Sequence, residues 1–254
     1  MNIFLKSFFA PAGWLAWAVL PGLLSIASAS SELPSGSPTD RAAVAIAPED
    51  LASRVQVGDL VFIRIPALPF RKVAEATGTW TNHVGIVVDV SGPEPIVAEA
   101  RIPFSTTTAF SRFVGRSEGQ HVAVERLNAE LTPSERLAIA AAARKRMHVH
   151  YDTGFDLQSR GQFCSRLVRE VLFEATGIQV GETETFRELL VRAPHADTGF
   201  WQLWFFGSIP WGRTTVTPAS LLSSEALHSV FEGTVARTEA VPIAGPVSIR
   251  ASFR

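Results

Sequence analysis

The residues GQFCSRLV, 161–168, hold Cys164, the only cysteine of the 254-residue chain, and the rest of the sequence is placed relative to it. From Phe163 onward Leu167, Val168, Val171, Leu172 and Ala175 recur at helical spacing, and Gly177 stands where a left-handed C-terminal cap belongs. The spacing predicts a helix with Cys164 in its first turn. There the unpaired backbone N–H groups and the positive end of the helix dipole favour the thiolate, the nucleophilic form of the side chain. A lone cysteine is by default a small buried hydrophobe. Chemistry at Cys164 therefore depends on what else the chain supplies.

Residues 1–29 carry Lys6, an apolar run through Trp14, Trp17 and Leu24, and the ending Ala27-Ser28-Ala29. A basic start, an apolar middle and a small-x-small end predict a secretory leader cleaved after Ala29, and hence a periplasmic or extracellular protein. The alternative is an uncleaved anchor, since residues 7–29 are long enough to span a bilayer; Pro11, Pro21 and the Ala-Ser-Ala ending favour cleavage. In an exported chain a single cysteine cannot close an internal disulfide, so it is either inert or a reactive thiol. A formal net charge of −1 gives no electrostatic case for nucleic acid.

Residues 30–50, rich in Ser, Pro and Ala, read as a linker or lead-in, with a short helix opening at Pro48-Glu49-Asp50. The folded domain is expected over 51–235, followed by a tail at 236–254. Residues 57–65 turn at Gly58-Asp59 into an apolar strand, and 83–90, 96–100 and 122–126 read as further strands. Residues 68–80 read as a connection without defined shape. Thr132-Pro133-Ser134-Glu135 is a capping box with proline at the first helical position, and Ala-rich residues continue that helix to about Met147. The cysteine helix follows, then an aromatic segment with Phe200, Trp201, Trp204, Phe205, Phe206 and Trp211, then a short helix at Thr217-Pro218. Strands first and helices later indicate an α+β fold.

A thiol nucleophile needs a base within reach and a third group that orients the base. Of the six histidines, His148 and His150 sit at a basic helix end and His121, His195 and His228 in polar or loop-like surroundings. His83 opens an apolar strand where Val or Ile would serve packing better, and Gly85 leaves one face beside it open. His148-x-His150 has no evident third partner, so neither a metal nor a cofactor is expected.

The segments GDLVF (58–62), HVGIVVD (83–89) and Tyr151 with FCSRLV (163–168) resemble the three signatures of the NlpC-type papain-like cysteine hydrolases. Their order, with the cysteine segment last, resembles the circularly permuted YiiX/YebB-like branch, to which lecithin:retinol acyltransferase is more distantly similar. Thr217-Pro218 with Leu221 and Leu222 resembles that branch's C-terminal segment, and the similarity runs over residues 51–232. The resemblance implies a permuted papain-like fold, an antiparallel sheet or barrel against a helical part. It implies Cys164 as nucleophile, His83 as general base and Glu99 of VAEA as the third residue. From the residues alone Asp89 and Asn82 stay open for that last role, because one residue of register turns Glu99 to the other face. Tyr151 matches the tyrosine that lines the family's cleft. Arg166 departs from the pattern, which often has an acidic residue there, and is expected at the cleft rim.

The sequence thus points to an exported cysteine hydrolase cleaving an amide bond in a small peptide or a cell-wall-derived peptide. A thioesterase, acyltransferase or lipid amide hydrolase with the same Cys-His pair is the first alternative, and an inactive papain-like binding module the second. The aromatic segment reads as a satellite core; its sharper reading is a lid or lipid-facing edge, which would bring acyl substrates and a membrane surface among the partners.

Overall fold

Strand β1 (Leu60–Ile63) reads Leu-Val-Phe-Ile without polar alternation because both of its faces are covered. The computed structural model describes residues 45–237. The expected leader, most of the lead-in and the tail from 238 onward lie outside those residues.

After helix α1 (Pro48–Ala52) and β1 the chain forms α2 (Leu68–Thr77), β2 (His83–Asp89), β3 (Ile96–Glu99), β4 (Thr106–Ala109), α3 (Phe110–Val114) and β5 (His121–Leu127). Helices α4 (Pro133–Arg144) and α5 (Cys164–Thr176) come next. They are followed by β6 (Glu184–Thr185), α6 (Phe186–Arg192), α7 (Thr198–Trp204), β7 (Thr214–Thr215), α8 (Pro218–Leu222) and β8 (Leu227–Thr234). Six strands form one antiparallel sheet in the order β4-β3-β2-β1-β5-β8, and β6 pairs with β7. The fold is α+β, a sheet packed against helices. No helix among the described residues is long and apolar enough to cross a membrane.

Alternation divides the sheet's side chains between two cores. Leu60, Phe62, Val84, Ile86, Ala98 and Ala123 pack with α4 and α5, while Val61, Ile63, Val87, Val97, Val122 and Val124 pack under α1 and α3. Helix α5 contributes Leu167, Val168, Val171 and Leu172, all with 0% exposure. Each such side chain stabilises the fold by roughly 1.5–3 kcal/mol, which fixes the rotation of α5 and the position of its first residue. The capping box at the start of α4 is present, with Thr132 Oγ1 accepting from the Glu135 N–H at 3.2 Å. Asp59 caps its turn by accepting the Gln56 N–H at 2.8 Å and pairs with Arg126.

The sequence reading did not anticipate α2, α3, α6, α7, β4, β8 or the short pair β6 and β7. Residues 68–77 are helical: Pro69 sits in the first turn, and Gly78, at φ 65°, closes the helix in the left-handed region. Strands β4 and β8 were not expected either; they are the sheet edges, half exposed, so neither shows an apolar alternation.

Candidate active site

Phe163, the residue before α5, is extended at φ −127° and has no side chain able to cap the helix. The N–H groups of the first turn, Cys164 among them, are therefore left without a side-chain acceptor, whereas Thr132, Thr185, Asp197 and Thr217 cap α4, α6, α7 and α8. The thiol is 4% exposed, on the end of α5 that packs on β2.

The register of β2 with β3, Ile86 opposite Ala98 and Val87 opposite Val97, carries Glu99 to a place across from Gly85 and diagonal to His83 on the same face. Glu99 then spans the missing side chain of Gly85, and its Oε2 lies 2.8 Å from His83 Nε2. A Cβ on Gly85 would stand 2.4 Å from Val97 Cγ1 and 2.9 Å from Phe113 Cε2. Glycine here admits Phe113, whose ring stacks on the imidazole at 5.7 Å and 27°. Phe70 of α2 meets the same imidazole edge-on at 6.0 Å. The ring is thus fixed by two aromatic neighbours and a carboxylate, and its buried Nδ1 has no hydrogen-bond partner.

That leaves Nδ1 as the ring nitrogen free to meet the Cys164 sulfur, the neighbour that most strongly raises the imidazole, with the two not aligned as a formed hydrogen bond. Contacts of this kind tighten when a reacting group is bound. Burial works against charge on all three side chains and is in each the largest influence. For His83 it is outweighed by hydrogen bonding and charge from Cys164 and then Glu99, which hold the imidazole up at about 9. Cys164 is pushed below the ordinary thiol range by His83 and by the N–H groups of Val84 and Ser165. Glu99 is held down at about 2 by His83, Arg116 and Thr108. Thiolate and imidazolium favour each other, the condition for a nucleophile activated at neutral pH.

Asn82 and Asp89 are spent elsewhere. Asn82 clamps the backbone of Ile65, accepting from its N–H at 2.7 Å and donating to its carbonyl at 3.0 Å; Asp89 accepts from Ser91 at the far end of β2. The Tyr151 hydroxyl is buried without a partner beside Cys164, and burial together with the nearby sulfur pushes its pKa well above the usual range, so it stays protonated and a donor. Arg166 does not line the cleft. Its guanidinium pairs with Glu170 at 2.7 Å and donates to the carbonyls of Ser159 and Gly161, fastening the loop that leads into α5. Two residues that sequence reasoning missed hold Glu99: Thr108 Oγ1 donates to Oε1 at 2.6 Å and Arg116 Nη2 to Oε2 at 2.8 Å. The threonine run 106–108 carries a strand signal that would have brought Thr108 beside β3; nothing in the sequence marks Arg116.

Beside Cys164 opens a narrow cleft walled by Phe70, Val73, Phe186, Leu190 and Trp201 among others. The aromatic segment is a satellite core, as expected, with Phe186, Leu189, Leu190, Trp201 and Ile209 packed together, and it also forms the cleft wall.

Comparison with known proteins agrees with this fold. Residues 54–231 match the family described as "Permuted papain-like amidase enzyme, YaeF/YiiX, C92 family". The protein YiiX of Escherichia coli K12 is 26% identical over 175 residues, which are 69% of this chain and 85% of YiiX. A crystal structure of yiiX from Escherichia coli O157:H7, titled as a metalloprotein, superposes with a TM-score of 0.66 at 23% identity, over 71% of this chain and 99% of the other. With the fold, the permuted order of segments and the family match in agreement, the chain belongs to the permuted papain-like amidases of the YaeF/YiiX type and is a cysteine amidase-like hydrolase.

Proposed function

We propose that this hydrolase is exported and cleaves an amide whose acyl part is apolar, through an acyl-Cys164 intermediate. The observation that supports this most is the junction of Cys164, His83 and the apolar cleft. Cys164 Sγ attacks the carbonyl carbon, and the developing oxyanion takes the Cys164 N–H at the uncapped end of α5, with the Tyr151 hydroxyl as second donor. The His83 imidazolium gives its proton to the leaving amine. Water then attacks the thioester while His83 takes the water's proton, releasing a carboxylic acid and restoring the pair. Glu99 holds the ring through Nε2 and balances its charge.

The cleft wall favours an acyl chain over a charged cell-wall peptide, because the residues around it offer little to pair with carboxylates or ammonium groups. The segment that contributes Trp201 also presents Leu203 and Phe206, 79% and 99% exposed, which supports contact with a membrane surface from which such a substrate would come. The crystal-structure relative is titled a metalloprotein. Among the described residues here no group of three or more His, Cys, Asp or Glu side chains is placed to hold a metal ion, so no step runs through one.

The test is a panel of N-acyl amides of rising chain length beside short charged peptides. Rates should rise roughly fourfold per added methylene until the cleft is filled, in line with ~0.8 kcal/mol per buried CH₂, and mass spectrometry should find the acyl group on Cys164. Equal turnover of acetyl and long-chain amides, or faster turnover of charged peptides, would overturn the apolar assignment.

A further inference from the structure

Glu99 carries more donors than its two oxygens require for orienting a histidine. Its side chain is fully buried, Oε1 receives Thr108 at 2.6 Å, and Oε2 receives His83 at 2.8 Å. A third donor, Arg116 Nη2, reaches the oxygen already held by His83, also at 2.8 Å. Each carboxylate oxygen has a hydrogen bond without it. What the guanidinium adds is charge.

The position is not one that a merely tethering arginine would be expected to take. Arg116 lies in the turn after α3, its N–H bonded back to the Phe113 carbonyl, and its Nε is buried without a partner. Its guanidinium lies over the Phe113 ring, 4.9 Å from the centroid, and that same ring stacks on His83. The chain has left one guanidinium nitrogen unsatisfied to bring a permanent cation to this carboxylate.

The groups that face His83 are Cys164 from α5 and Glu99 from β3, with Tyr151 beside the sulfur, while α2 and α3 present the neutral rings of Phe70 and Phe113. With thiolate, imidazolium and carboxylate all ionised, this buried set carries one net negative charge. Arg116 brings it to neutrality. We propose that Arg116 is a positioning residue which, by sharing Glu99 Oε2 with His83, sets the pH range over which Cys164 and His83 form a working ion pair. Removing the cation leaves the set negative, so that both the thiolate and the imidazolium hold protons more tightly and both limbs of the profile move to higher pH.

The inference rests on the proposed roles of Cys164 and His83. Its test is the rate of Cys164 alkylation by iodoacetamide against pH in the full chain, for wild type, Arg116→Lys, Arg116→Gln, Arg116→Met and His83→Ala, with circular dichroism to check folding. Arg116→Gln and Arg116→Met should move the acid-side midpoint up by about one pH unit, a roughly fivefold slower reaction at the wild-type midpoint. Arg116→Lys, which keeps the charge, should stay within about 0.3 unit. A tether would behave otherwise, with Arg116→Gln and Arg116→Met at the wild-type midpoint whatever their stability; that result overturns the proposal. Should neither neutral variant fold, Arg116→Lys decides it, since a midpoint displaced by a full unit with the charge retained also overturns it. If His83→Ala leaves the profile untouched, the Cys-His pair itself is refuted; if it changes the profile while Arg116→Gln does not, only the role of Arg116 falls.

Discussion

Replacing Glu99 with glutamine changes one charge and almost no volume at the point where the site is held together. The imidazole, ordinarily titrating near 6.5, is held at about 9 although burial works in the opposite sense. That rise corresponds to about 3 kcal/mol at ~1.4 kcal/mol per pH unit, contributed by Cys164 first and Glu99 second. Without the carboxylate charge, burial is opposed by the sulfur alone, and the imidazolium should lose its proton at least one pH unit lower. The amide has a second defect: its oxygen can serve His83 or Arg116, and its NH₂ then faces a donor. The alkaline limb of kcat/KM should move towards neutral pH and kcat should fall about 10²–10⁴-fold, as when the orienting carboxylate of a catalytic triad is made an amide. Proton NMR of the His83 ring, assigned by comparison with His83→Ala, follows the titration directly, while hydrolysis of an N-acyl amide follows the rate. A His83 that still titrates near 9 in Glu99→Gln, with kcat within about threefold of wild type, would refute the reasoning. The direction is also diagnostic, since loss of Arg116 should move the same limb the other way.

Other perturbations separate packing from chemistry. Gly85→Ala puts a methyl 2.4 Å from Val97 Cγ1 and 2.9 Å from Phe113 Cε2; denaturant unfolding should show a loss of about 1–3 kcal/mol, with activity falling further because Phe113 is displaced from His83. Tyr151→Phe removes a buried hydroxyl that has no partner, so thermal stability should hold or rise while kcat falls about 10²-fold; unchanged kcat would remove Tyr151 from the oxyanion site. The Glu99 contribution to stability, with the carboxylate lowered to about 2, is present above its ordinary 4.5 and disappears as pH falls through 2. The His83 contribution, with the ring raised to about 9, is complete below 6.5 and disappears as pH rises through 9. Melting temperature against pH should decline as pH falls below 4.5 and as it rises above 6.5 in wild type, and the alkaline decline should flatten in His83→Ala.

Much of this was legible in the chain because it rests on local signals. The period from Leu167 to Ala175, the Gly177 stop and the Thr132 capping box are decided within a few residues, and the structure keeps them. The placement of Glu99 was not decidable that way, since it depends on a pairing register; it becomes definite only with Ile86 set against Ala98 and with Gly85 open beneath the carboxylate. Arg166 shows the opposite case, a charge near the cysteine in sequence that the fold turns to the Glu170 and Ser159 side of the helix. Arg116 lies 17 residues from Glu99 in an unremarkable turn, and only the packing of α3 on the sheet brings it to the carboxylate. Strands β4 and β8 were missed because an exposed edge carries little hydrophobic pattern to read.

All of the proposed chemistry rests on Cys164 being a thiolate made reactive by His83. Alkylation of Cys164 followed by intact mass, over about pH 4 to 10 in wild type and His83→Ala, tests it most directly. Wild type should show a midpoint well below that of an ordinary thiol, and His83→Ala should return to ordinary thiol behaviour. Two superimposed profiles, both rising as an unperturbed thiol does, would contradict it.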